Sequence, residues 1–191
     1  MTHDEMNRRT KSAIIEKFKA LMLKKPAKKI TVRELVEECG INRKTFYYHF
    51  EDIYDMLRKM LKQDTEAILA RGDLIKDHDL IIDLTLDYIE QNMVILKNIL
   101  SCTGRTELYS FLNATVNAPI YSLVVEVEEK LGLSAGDEYK QFLADFFTRA
   151  VSGVLVDWIE NRADRSRAQV KQYLSALLRA AIPAALQEEL S

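Results

Sequence analysis

Cysteine, proline, glycine and histidine are all scarce in this chain, and each scarcity removes a class of protein. Only two cysteines occur in 191 residues, Cys39 and Cys102, far apart and without a CxxC partner. A disulfide framework or thiolate metal site is therefore not expected, and a reducing cytoplasm is the default compartment. Three histidines, His3, His49 and His78, form no carboxylate–histidine cluster. With no nucleophile–base pair and no phosphate-binding glycine loop, catalysis, a resident cofactor and a metal centre have no support. Six glycines and three prolines leave long stretches unpunctuated, and alternating β-branched residues are absent, so the chain reads as all-α. No apolar run reaches the ~20 residues that cross a bilayer. The polar opening, MTHDEMNRRTK, has no apolar h-region, so no secretory signal is expected.

Apolar residues make up 48% of the chain, enough for a substantial core. The net charge of −2 conceals an asymmetry. Residues 1–60 hold 14 Lys and Arg against 9 Asp and Glu; the remainder holds 13 against 20. A basic head on an acidic body points to a polyanion met by the head alone, although a solvated basic face gives the same count.

Within the head, Ile14, Phe18, Leu21 and Met22 recur at three and four, which predicts a helix over Asn7–Leu23 with one buried stripe. Pro26 ends it. Thr31 and Glu34 form a T-x-x-E capping box, Val32, Leu35, Val36 and Cys39 face inward, and Gly40 suits a left-handed closure. Asn42 caps a third short helix running to about His49. Two short helices around a glycine turn form the helix-turn-helix pattern. On the third, Phe46 and Phe50 share one face and pack inward with Ile41. Arg43 with Tyr47, and Lys44 with Tyr48, occupy other faces and offer donors to phosphates and base edges.

A fourth helix is expected from Asp52 to Ala70, stopped by RGD at 71–73. The body predicts helices over Asp77–Leu100, Arg105–Val116 and Pro119–Leu131, a GLSAGD loop, then Glu138–Asn161 and Ser166–Ile182, with Pro183 bending or ending the last. In Glu138–Asn161 two apolar rows run in parallel: Phe142, Phe146, Ala150, Val154, Trp158 and Leu143, Phe147, Val151, Leu155. Apolarity on more than one face exceeds what one monomer core needs. Trp158 suits a core or interface anchor better than a ligand stacker.

The segment ITVRELVEECGINRKTFYYHFEDIYDML, Ile30–Leu57, with the basic lead Arg8–Met22, resembles the TetR/AcrR family of bacterial transcriptional regulators. The shared pattern is a Thr-capped helix, a glycine turn and the core Thr45, Phe46, Tyr47, Tyr48, His49, Phe50. The helix holding Gly153 and Trp158, with the one after it, resembles the carboxy-terminal domain of a Firmicutes-type subgroup. The resemblance implies a helix-turn-helix DNA-binding domain over 1–52, a connecting helix over 53–75 and a helical effector-binding and dimerisation domain over 76–191.

It implies that Thr31 meets phosphate, that Asn42, Arg43, Lys44 and Thr45 enter the major groove, and that Tyr47, Tyr48 and His49 line it. Where the family carries a lysine, this chain has Ile53 after Glu51 and Asp52, a pair suited to a helix N-terminus rather than a phosphate. Arg8, Arg9 and Lys11 are then the compensating cations. The resemblance also implies a homodimer paired through the last two helices, at Val154, Trp158, Val170, Leu174, Leu177, Leu178 and Ala181. Its two heads would be spaced by about 34–36 Å, one DNA turn, over a palindromic operator.

Asp83, Asp87, Phe111, Asp145, Thr148 and Ser152 are candidate lining for an effector pocket, where a few polar groups orient a mostly apolar ligand. Taken singly, the polar members read as satisfied or exposed positions. The expected function is a repressor released by a small-molecule effector. The alternative is a regulator of the same fold acting as co-activator through a protein partner.

Overall fold

The computed structural model describes residues 3–69, 78–161 and 164–189. Among them lie nine α-helices and no strand: α1 (His3–Met22), α2 (Val32–Cys39), α3 (Arg43–His49), α4 (Ile53–Leu69), α5 (His78–Gln91), α6 (Met93–Thr103), α7 (Arg105–Leu131), α8 (Asp137–Ile159) and α9 (Arg167–Glu189). Ala70 and the RGD segment fall outside the described residues. No helix among the described residues is long and apolar enough to cross a membrane.

The chain divides into two compact units. One joins Met1–Asp64 to Asn92–Leu108; the other joins Thr65–Gln91 to Tyr109–Ser191. The expected boundaries at 52 and 75 follow the chain consecutively. The compact units do not, because α6 belongs with the head.

The head is built on local signals. Ile14, Phe18, Leu21 and Met22 of α1 are all buried, as their spacing demands. The Thr31 hydroxyl accepts from the Glu34 N–H at 3.2 Å, which is one half of the capping box. The other partner differs from expectation, since the Glu34 carboxylate pairs with Lys25. Gly40 closes α2 at φ 63, ψ 31. The Ile41 N–H then bonds the Val36 carbonyl and the Gly40 N–H that of Glu37, the paired bonds of a Schellman closure.

From 71 residues further on, α6 returns to this unit with Asn98. Its Nδ2 donates to the carbonyls of Met22 (2.7 Å) and Lys25 (3.2 Å), and its Oδ1 accepts from the Ala27 N–H at 3.0 Å. One side chain thus satisfies three backbone groups in the linker between α1 and α2.

Beyond α4, three sequence expectations are corrected. The predicted helix over 77–100 is two helices, α5 and α6, because Asn92 leaves the helical region at φ −111, ψ 16. Continuous apolar periodicity masks a break made at one residue. Pro119 starts no helix; α7 runs through it. A proline interior to a helix removes one backbone bond, and here its ring is seated among buried apolar neighbours. Pro183 does not end α9 either. Continuation buries Ile182 and Leu186 completely and lets the Tyr139 hydroxyl donate to the Ala185 carbonyl at 3.0 Å.

The Asn98 clamp makes a quantitative expectation. Asn98→Leu leaves two carbonyls and one N–H without their partner and should cost about 1–3 kcal/mol of stability. Urea denaturation of the full chain measures it; a change within error of zero would mean that the linker holds its shape without the clamp.

Candidate nucleic-acid interface

Helix α3 is seven residues long, too short to persist by propensity alone. Its N-terminus is closed by Asn42, whose Oδ1 accepts from the Thr45 N–H at 2.8 Å and from the Thr45 hydroxyl at 3.1 Å. Thr45 is therefore half-buried and engaged in the cap. Its C-terminus is held from α4: the Lys59 ammonium donates to the His49 carbonyl at 3.0 Å and to Asp55 at 2.8 Å, and sits 5.8 Å from the centre of the Phe50 ring.

Asp55 in turn accepts from the Glu51 N–H, and its own N–H bonds the Asp52 side chain at 2.7 Å. Glu51 and Asp52 thus mark the start of α4, with Ile53 half-buried as its first residue. Burial alone would raise the Asp55 carboxyl; the Lys59 and Glu51 hydrogen bonds, with the charges of Lys59 and Arg58, outweigh it and hold Asp55 below the usual range.

Phe46 and Phe50 are fully buried, with ring centres 5.4 Å apart. The opposite faces are open: Tyr47 is 56% and Tyr48 64% exposed, and Arg43 and Lys44 are exposed. Among the described residues neither cation has a carboxylate partner, whereas Lys19, Lys25, Arg33 and Lys59 are paired with Asp64, Glu34, Glu37 and Asp55. Bulky rings and cations without a carboxylate partner are thus left in solvent on one short, doubly capped helix, a combination that suits a reading surface better than a packing one.

The flanking groups extend it. Thr31 and Asn42 are exposed; the Thr31 oxygen caps α2 while its hydroxyl proton stays free to donate. Arg8 and Arg9 are exposed on α1, and Asn7 on the same helix donates to the Tyr48 hydroxyl at 3.1 Å. Sequence reasoning missed Asn7, Lys59 and Asn98. For Lys59 a local signal existed, the i,i+4 spacing from Asp55; for the other two the partners lie 41 or more residues away.

Two family models match this chain. One, described as bacterial regulatory proteins of the tetR family, covers residues 14–60. The other, a transcriptional regulator C-terminal region, covers residues 76–180. The chain belongs to the TetR family of bacterial transcriptional regulators. Members of that family are DNA-binding regulators, and typically dimerise. No curated protein matches it. Among solved structures it is similar to the dihydroxyacetone kinase operon activator DhaS, at 19% identity over 92% of this chain and 97% of that one, with a TM-score of 0.74, a likeness of fold. A TetR-family transcription regulator from Shewanella sp. PV-4 aligns at 18% identity over 88% and 95% of the two chains, but with a TM-score of 0.46 it carries no argument.

In the second unit of this TetR-family protein, the residues suggested for an effector pocket lie on helix seams. Asp83 and Asp87 of α5 bind Arg167 of α9, and Asp83 also pairs with Lys171. Asp145 and Thr148 of α8 both accept from Asn117 of α7, at 3.2 and 3.3 Å. Phe111 is buried with its ring centre 5.8 Å from that of Tyr88. Ser152 is fully buried and its hydroxyl has no hydrogen-bond partner. None of the six lines the partly open hollow of about 40 Å³ between α5, α7, α8 and α9. Of the suggested interface residues, Trp158, Val170, Leu174 and Leu178 are buried within the chain itself, Val154 and Ala181 are half-buried, and Leu177 is 64% exposed. Trp158 is further tied by its indole N–H to the Arg165 carbonyl at 3.0 Å.

His49 is half-buried at the end of α3. Burial first, then the charges of Lys11 and Lys59, hold its pKa below the usual histidine value. The unfolded chain therefore takes up the proton first as pH falls, and native stability drops below about pH 6.5. Urea midpoints at pH 7.5, 6.5 and 5.5 should fall in that order, and His49→Gln should flatten the fall. An equal slope in both proteins would show that His49 is not the responsible group.

Proposed function

We propose that this regulator binds duplex DNA as a homodimer, with α3 in the major groove. Arg43 and Lys44 are the principal readers, each able to engage a guanine edge or a phosphate. Asn42, Tyr47, Tyr48 and His49 line the groove, while Thr31, Arg8 and Arg9 meet the backbone. Thr45 acts mainly through the cap it forms with Asn42. The single observation that carries this reading is the two-sided α3: fully buried phenylalanines on one side, unpaired cations and open tyrosines on the other.

Support for pairing comes from α8 and α9. Phe142 and Phe146 are 60% and 55% exposed, and Tyr173 and Leu177 are 48% and 64% exposed. Large apolar side chains exposed at i,i+4 on each of two helices suit an association surface. The proposed interface is thus centred on these four with Val154 and Ala181 beside them, and the buried Trp158, Val170, Leu174 and Leu178 back it from the core. A two-fold dimer demands a palindromic operator. The expected action is repression relieved by an effector. The name of the DhaS neighbour shows an activator on this fold, so a reporter fused to the operator should be read in both directions.

The DNA assignment is tested with duplexes selected from a randomised pool. Arg43→Ala with Lys44→Ala should weaken binding by tenfold or more, on the order of 1–3 kcal/mol for each base edge no longer engaged, with an unchanged melting temperature. Undiminished retention at fixed salt would remove α3 from the interface. Separately, Phe146→Glu should shift the sedimenting species from dimer to monomer; a wild-type protein already monomeric at micromolar concentration would end the dimer reading.

A further inference from the structure

Tyr48 carries the most exposed ring of α3, yet it is held at both ends. Its ring meets the His49 imidazole edge-on, with 5.1 Å between centres. Its hydroxyl oxygen accepts from the side-chain amide of Asn7 on α1 at 3.1 Å, across 41 positions of sequence. Neither partner belongs to the core, since Asn7 is half-buried and Tyr48 exposed. The bond therefore bears less on folding than on where the phenol points.

Its direction matters. A phenol has one proton to give and lone pairs that accept. The Asn7 amide donates to a lone pair, so the Tyr48 proton is left for an acceptor outside this pair. A donor on the oxygen also polarises the O–H and strengthens the bond it makes next. The platform that carries Asn7 is firm, because Ile14, Ile15 and Phe18 of α1 are buried. Lys11, one turn after Asn7, lies close enough to His49 for its charge to act on the imidazole. The start of α1 thus runs beside the end of α3. Tyr48 stands a full turn beyond Arg43 and Lys44, next to the helix that carries the exposed Arg8. That place suits a backbone phosphate as acceptor better than a base edge.

We propose that Asn7 is a positioning residue for DNA binding, holding Tyr48 as a fixed hydrogen-bond donor to one phosphate of each half-site. The inference rests on the α3 reading above and adds to it a residue outside the helix-turn-helix. Ordering the ring before contact removes a conformational cost that binding would otherwise carry.

Affinity for the duplex selected from the randomised pool is measured at fixed salt for Asn7→Ala, Tyr48→Phe and the double variant of the full chain. Tyr48→Phe should weaken binding by about tenfold per half-site, the effect of one hydrogen bond to a charged group. Asn7→Ala should weaken it by about threefold to tenfold, the effect of ordering one side chain. In the Tyr48→Phe background Asn7→Ala should change affinity by less than about twofold, because no proton remains to be aimed. A purely structural role would weaken binding equally in both backgrounds. Unchanged affinity in Asn7→Ala, or an equal loss with and without the Tyr48 hydroxyl, overturns the proposal. The slope of log affinity against log salt should be the same in Asn7→Ala and wild type; a shallower slope would mean that α1 has shifted with its arginines, and overturns the positioning role. Base-pair changes in the half-site should leave the Asn7→Ala factor constant, and a factor that follows one base pair overturns the phosphate assignment. Arg43→Ala with Lys44→Ala is measured alongside. Lost binding there with none lost in Asn7→Ala rejects this inference alone, whereas full binding there removes α3 from the interface and the inference with it.

Discussion

Helices of seven and eight residues cannot persist in water on their own propensity, and the head of this protein is made of two of them. Their survival depends on anchoring. Phe46 and Phe50 fix α3 to the core, Asn42 closes its start and Lys59 holds its last carbonyl. With those constraints met, Arg43, Lys44, Tyr47 and Tyr48 can stay exposed. That exposure is what the proposed DNA reading asks of them.

The body solves the opposite problem. Its helices are long, α7 to α9 running 27, 23 and 23 residues, so length supplies persistence and the difficulty is alignment. Polar seams provide it. Arg167 and Lys171 gather Asp83 and Asp87, and Asn117 bridges Asp145 and Thr148. At the loop between α7 and α8, the buried carboxylate of Glu128 takes the Ala135 N–H at 2.8 Å and Lys140 at 3.1 Å. Groups that resemble lining for a polar pocket are consumed in keeping helices in register.

Legibility in the sequence followed distance along the chain. The caps at Thr31 and Asn42, the turn at Gly40 and the buried pair Phe46 and Phe50 were all readable, because each depends on residues within five positions. The prolines misled for the converse reason. Pro119 and Pro183 break helices by local rule, and burial of Ile182 and Leu186, a non-local gain, overrides the rule. Asn92 hid a break that periodicity could not register. A Ser-x-x-Gln box at Ser166, where the Ser166 N–H bonds the Gln169 side chain at 2.9 Å and its hydroxyl accepts from the Gln169 N–H, was legible in principle and overlooked. Asn7 and Asn98 were beyond reach, since an asparagine on a helix gives no sign of a partner 41 or 71 residues away. The same limit applied to the candidate effector residues: polarity on an apolar helix is visible, but whether the partner is another helix or a guest is not.

The return of α6 to the head means that the unit holding the helix-turn-helix is not a contiguous piece of the gene. A hybrid regulator made by splicing this head onto a foreign body after Asp64 would leave Asn98 behind, and with it the support for the carbonyls of Met22 and Lys25. Domain shuffling, in evolution or in the laboratory, must therefore carry residues 92–108 along as a second inserted cassette, or find another asparagine to stand in their place.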